Sequence, residues 1–173
     1  MTYSADGIER AGSGVRLMRG AAAGLVAGFI ASFAMDRFQA GVAALSGSGD
    51  EGEPATAQAA DGIAKAVTGE EIAEPQKPLA GQLVHYALGA GLGVAYGVAA
   101  EYRPAVTSGY GTAFGLGTAA VLDEAAVPAV GLGEAPWKSA PTTHLYTLAS
   151  HLVFGVAAEL TRRQVRTTLL PSG

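Results

Sequence analysis

GAAAGLVAGFIASFAMDRFQA, residues 20–40, is apolar at all but Ser32, Asp36, Arg37 and Gln39, and every fourth place holds Gly20, Gly24, Gly28, Ser32, Asp36 and Ala40. A spacing of four draws one inclined ridge along an α-helix. The apolar run extends over residues 18–44, which exceeds the ~20 residues needed to cross a bilayer. It predicts a first transmembrane helix.

Three further stretches carry the same signature over residues 79–101, 110–132 and 143–165. The second reads Gly81, His85, Gly89, Gly93, Gly97 at intervals of four, and the third Gly111, Gly115, Ala119, Asp123, with Gly117, Ala120 and Glu124 on the adjoining strip. The fourth reads Thr143, Thr147, His151, Gly155, Glu159. In a bilayer, apolar burial gives little drive between helices already surrounded by lipid tails, so small residues that let backbones approach supply the packing faces. The expected fold is therefore all-α: a polytopic four-helix transmembrane bundle, one membrane domain over residues 1–173, packed through Gly24, Gly28, Gly89, Gly93, Gly97, Gly111, Gly115 and Gly155.

Composition agrees. Among 173 residues there are 36 Ala and 25 Gly, only 7% are aromatic and 15% charged, and the mean hydropathy is +0.28. A water-soluble core is hard to fill with residues so small, and the chain is too apolar for a disordered tail. The net charge of −4 and the scattered Lys and Arg exclude a nucleic-acid binder. With no Cys, there is no disulfide framework.

The connections have distinct characters. Residues 46–78 form a long acidic loop in which Ile63, Ala64 and Val67 would make one side of a short surface helix. Tyr102-Arg103-Pro104 breaks the chain into a tight hairpin, and Pro128 should kink the end of the third span. Positive flanks resist translocation, which sets the orientation. Arg10, Arg16, Arg19, Arg103, Arg162, Arg163 and Arg166 fall on one side. Lys65, Lys77, Lys138 and Arg37 fall on the other, together with Asp50, Glu51, Glu53, Asp61, Glu70, Glu71, Glu74 and Glu134. Seven against four places both termini in the cytoplasm. A competing reading takes Arg10, Arg16 and Arg19, the apolar run and Ser32-Phe33-Ala34 as a cleaved signal peptide.

Asp36, His85, Asp123 and His151 lie on the small-residue ridges, so they should point into the bundle and not into lipid. At about 1.5 Å per residue they fall roughly 10 to 15 Å below the outer surface, at one polar level that Glu124 joins. Adjacent Asp123 and Glu124 point about 100° apart and need partners on two sides. Glu101 and Glu159 lie near the inner boundary, where ion pairs with Arg103, Arg162, Arg163 and the Arg19 region are the ordinary explanation. His144 and Trp137 read as interface residues, and Tyr86, Tyr96 and Tyr146 as packing groups. The clustered glycines at Gly89-Ala90-Gly91-Leu92-Gly93 follow no strand and are no dinucleotide fingerprint. No nucleophile elbow or zinc-protease motif occurs.

Val84-His85-Tyr86, Gly109-Tyr110-Gly111, Asp123-Glu124 with Pro128 and Gly131-Leu132, then His151-Leu152-Val153-Phe154-Gly155 with Glu159 and Arg162-Arg163, resemble the YagU-like family of small bacterial inner-membrane proteins. The resemblance covers about Leu79 to Arg166, and His85, Glu124, Pro128, His151 and Glu159 map onto its pattern. It implies a bacterial inner (plasma) membrane location and no reaction.

Three functions fit these residues. The default is a non-enzymatic accessory or structural protein in the lipid bilayer, as a homo-oligomer or part of a larger complex, whose buried polar groups bond between helices. The second is a proton or ion pathway through Asp36, His85, Asp123, Glu124 and His151, since imidazole titrates near neutrality. The third is a metal or haem site using His85 and His151.

Overall fold

Gly and Ala on one face of a helix leave room for another backbone, and the chain uses that room. The computed structural model describes residues 5–47, 54–132 and 135–169, with side chains from residue 12 onward. It is all-helical, with no strand among the described residues. The elements are α1 (Ala5–Ser46), α2 (Ala55–Thr68), α3 (Lys77–Tyr102), α4 (Thr112–Val121), α5 (Val127–Ala129) and α6 (Pro141–Thr168). A π-helical turn, Leu122–Ala126, joins α4 to α5.

α1 and α3 run antiparallel in a fixed register. A Cβ added to Gly20, Gly24 or Gly28 would land on the carbonyl oxygen of Gly97, Gly93 or Gly89 respectively. The converse holds at Gly97 and Gly93, which face the Gly20 and Gly24 carbonyls. One more step of four brings Ser32 against Gly89 and to the level of His85. α4 lies on α6 in the same manner, Gly111 facing the Gly155 carbonyl and Gly115 the His151 carbonyl. α6 also packs along α1, and α2 rests on α3.

Between these pairs sits a small core of Ala31, Met35, Phe154 and Ala158, with Leu92 and Phe114 against it. Tyr96 of α3 and Phe114 of α4 stack with ring centroids 4.2 Å apart, and Phe154 of α6 follows at 6.0 Å from Phe114. Side-chain sizes are inverted relative to a water-soluble protein. On α1, Ala23, Ala27, Ala31 and Ser32 are wholly buried, whereas Leu25, Val26, Phe29, Ile30 and Phe33 are 41–53% exposed.

Two stretches, Gly12–Ser46 and Glu74–Tyr102, are long and apolar enough to cross a membrane. The expected third span over residues 110–132 is not one continuous helix. Its first residues belong to a turn in which Gly109, Tyr110 and Gly111 all take positive φ (67°, 55° and 85°), a conformation the flanking glycines adopt without steric cost. Further on, Pro128 has no N–H to donate and its ring would press on the Glu124 carbonyl four residues back. The chain widens there: the Val127 N–H donates to the Leu122 carbonyl, five residues back. The kink expected at Pro128 thus takes the form of a π turn ahead of the proline.

α2 occupies the acidic loop, but its buried face is Ala57 and Ala60, and Ile63 and Val67 are 58% and 80% exposed. Its carboxyl end is tied down by Lys65 to Glu71 at 2.7 Å and by the Ile72 N–H to Asp61 Oδ1 at 2.6 Å. The hydrogen bond it donates to Glu71 holds the Lys65 ammonium above its ordinary pKa. Asp50, Glu51, Glu53 and Glu134, used above for orientation, lie outside the described residues, as does the side chain of Arg10.

Candidate polar chamber

The register of α1 on α3 carries Asp36 past the end of the glycine contacts, where α3 offers Gln82 and His85. Gln82 Nε2 donates to Asp36 Oδ2 at 2.6 Å. His85 Nε2 is 3.2 Å from Asp36 Oδ1, an ion-pair distance, and this buried nitrogen makes no hydrogen bond within the protein.

Across the molecule, α4 on α6 brings the π turn to the amino-terminal half of α6. His151 Nδ1 lies 3.1 Å from the Thr147 carbonyl and 3.2 Å from Asp123 Oδ2. Both neighbours accept, so Nδ1 carries the proton. The wide turn swings Glu124 elsewhere: it accepts from His144 Nδ1 at 2.7 Å, while His144 Nε2 faces the Pro136 carbonyl at 3.0 Å. Two oxygen acceptors suit a doubly protonated ring. All three histidines of the chain therefore stand beside a carboxylate.

His85 and His151 line one chamber of about 410 Å³ together with Asp123, Ser32, Ser150 and Tyr146. Met35, Leu88, Leu92 and Phe154 supply much of its apolar wall. A vestibule of about 610 Å³ adjoins it, lined by Asp36, Glu74, Lys77 and Gln82. His85, Gln39, Pro54 and Thr56 border both spaces. Ser32 and Ser150 are wholly buried, and neither hydroxyl has a hydrogen-bond partner in the protein. Phe154 belongs both to the chamber wall and to the aromatic group with Phe114 and Tyr96 that lies on the side towards Glu159.

Beyond that aromatic group is a second polar cluster. Glu159, with no exposed surface, accepts from the Tyr96 hydroxyl at 2.8 Å, from Arg162 at 2.8 and 2.9 Å, and from Arg163 at 2.5 Å. One partner of Glu101 differs from those expected. The Glu101 carboxylate pairs with Arg166 at 2.5 Å in place of Arg103, while its backbone carbonyl accepts from Arg16 and its side chain lies against Gly20, both in the Arg19 region of α1.

The structure thus places Asp36 in the vestibule, His85 on the border, and Asp123 and His151 in the chamber. Glu124 borders neither. Ser150 and Gln82 escaped the sequence reading because a lone polar residue beside a histidine or a proline-led helix start has no distinctive spacing. Trp137 is 84% exposed, and Tyr96 is buried with its hydroxyl on Glu159. Among the described residues no three His, Asp or Glu side chains gather as a metal site.

Residues 52–160 match the family described as protein of unknown function (DUF1440). The chain belongs to that family. No curated protein and no solved structure matches it. The matched segment contains His85, Asp123, Ser150 and His151, while Ser32 and Asp36 on α1 precede it.

Proposed function

We propose that the chain is a four-span bundle of the bacterial inner membrane with both termini in the cytoplasm. It serves there as a non-enzymatic accessory protein that carries a blind polar chamber in the outer half of the bilayer. The observation that carries this reading is the run of stacked rings, Phe154 on the chamber wall, Phe114 beside it and Tyr96 with its hydroxyl on Glu159, which puts apolar side chains between the chamber and the Glu159 cluster. A conduit needs polar groups or water throughout its length, because a charge facing hydrocarbon is penalised by roughly 2.5 to 3.5 kcal/mol on insertion scales.

Supporting the membrane location are the two apolar helices, the outward Leu, Val and Phe side chains, and the clustering of Arg16, Arg162, Arg163 and Arg166 at one end. The likeness to YagU-like proteins points to the same membrane. The ridges of Gly and Ala then act as the packing faces that lipid surroundings favour. The remaining lipid-facing surface is available to a second copy or a larger complex.

A proton or ion pathway is the second reading, favoured by the pairing of His85, His144 and His151 with carboxylates. Proteoliposomes carrying an internal pH dye and a potassium gradient separate the two. The accessory reading expects proton flux equal to that of empty liposomes. Flux above that level, abolished by Asp123→Asn, would establish the pathway instead.

A further inference from the structure

We propose that the chamber is a binding site for a small organic ammonium with an apolar body; this rests on the accessory reading above and names its ligand class. Three buried polar atoms without hydrogen-bond partners in the protein, Ser32 Oγ, Ser150 Oγ and His85 Nε2, belong to residues lining the same chamber. Buried polar atoms are nearly always hydrogen-bonded, and three exceptions around one cavity mark a place where a polar group is received. These three residues come from α1, α6 and α3, so they converge on a common volume.

The charge of the wall selects the ligand's sign. Asp123 is its one carboxylate, and no Lys or Arg lines it. An ammonium supplies N–H donors to the Asp123 carboxylate and to the serine oxygens, all of which accept. An anion would meet the like charge of the Asp123 carboxylate, which repels it. The rest of the wall selects the body. Met35, Leu88, Leu92, Leu122 and Phe154 would leave a bare metal ion poorly solvated but suit a hydrocarbon portion. The chamber volume lies within the range of ordinary small-molecule sites. One feature has the opposite preference: the amino end of α2, at Pro54 to Thr56, borders the chamber and favours anions. An anionic probe therefore belongs in the test.

The full chain, purified in detergent and in nanodiscs, is titrated calorimetrically with 2-phenylethylammonium, its neutral analogue 2-phenylethanol and the anion phenylacetate. Saturable binding of the ammonium is expected, with the alcohol and the carboxylate at least about tenfold weaker, the ratio that one charge-assisted hydrogen bond produces. Asp123→Asn should weaken ammonium binding by a similar factor, and Ser150→Ala by less. Asp61→Asn, outside the chamber, should leave it unchanged. Each variant's melting temperature shows whether it is folded. No saturable ammonium binding by folded wild-type protein would mean that water satisfies these atoms, and equal binding of all three probes, or ammonium binding indifferent to Asp123→Asn and Ser150→Ala, would equally overturn the proposal. Proton flux in liposomes would instead overturn the accessory reading, whatever the titration gives.

Discussion

Gly91 and Gly93 stand two residues apart on α3 with opposite surroundings. A Cβ on Gly93 would strike the Gly24 carbonyl and the Gly28 backbone, whereas nothing lies within 4 Å of one on Gly91. Gly93→Ala must push two backbones apart and should cost about 1 to 3 kcal/mol. Gly91→Ala removes only a flexible residue from a helix and should leave stability equal or up to about 1 kcal/mol higher. Melting in detergent checks both, and α4 repeats the contrast with Gly115 against Gly117. Gly93→Leu or Gly115→Leu should likewise cost more than Leu88→Ala, whose side chain is 45% exposed. At Glu159 the issue is charge. Removing a fully buried carboxylate that two arginines and a tyrosine address should cost about 3 kcal/mol for Glu159→Ala, mostly from the stranded Arg162. Tyr96→Phe deletes one hydrogen bond to it and should cost about 1 kcal/mol. Equal melting of the two variants would show that the arginines find other partners.

The π turn decides which acid meets which histidine. In a regular helix, Asp123 and Glu124 would continue the ridge of Gly111, Gly115 and Ala119 and the strip beside it. The turn before Pro128 instead sends Asp123 to His151 and Glu124 to His144. Glu124 and His144 are each about one-third exposed, so solvent screening limits their coupling. A double-mutant cycle of Glu124→Ala and His144→Ala should return about 0.5 kcal/mol. In a Pro128→Ala background, where the regular hydrogen bond can form, the coupling should vanish. A coupling that persists there would show that the α4–α6 contact alone sets the turn. α2 teaches a related lesson, because its larger side chains Ile63 and Val67 face outward while Ala57 and Ala60 are buried, Ala57 against Gly81 of α3. Close approach favoured the smaller face, as Gly81 meeting the Ala57 backbone makes plain.

For the whole molecule, the described part of α1 begins at the same end at which α3 and α6 finish, as the contacts of Arg16 and Arg166 with Glu101 require. Asp36, Gln82, His85, Asp123 and His144 gather at the other end. If all four helical passes cross the bilayer, reporters fused after Gly49 and after Gly173, both outside the described residues, should report opposite sides. The same side for both would remove the four-span topology. Intact-mass analysis should find residues 1–34 still attached, since α1 contributes the Gly20, Gly24 and Gly28 face on which α3 lies. A mass lacking them would make that segment a signal peptide.

The sequence by itself determined that the chain is helical, that small residues recur every fourth place, and that Asp36, His85, Asp123 and His151 sit on those ridges. Helical periodicity is local, so spacing alone reveals which residues share a face. It left open which ridge meets which, because one small-residue ridge fits another equally well. Only the tertiary structure paired α1 with α3 and α4 with α6, turned Glu124 away to His144, and gave Glu101 to Arg166 and Arg16. The chamber was likewise illegible, since Ser32 and Ser150 lie 118 positions apart and share a wall only once α1 and α6 are side by side. The aromatic group of Tyr96, Phe114 and Phe154, the last on the chamber wall, also arrives from three helices, and contact between residues so distant in sequence follows from packing and not from any local pattern.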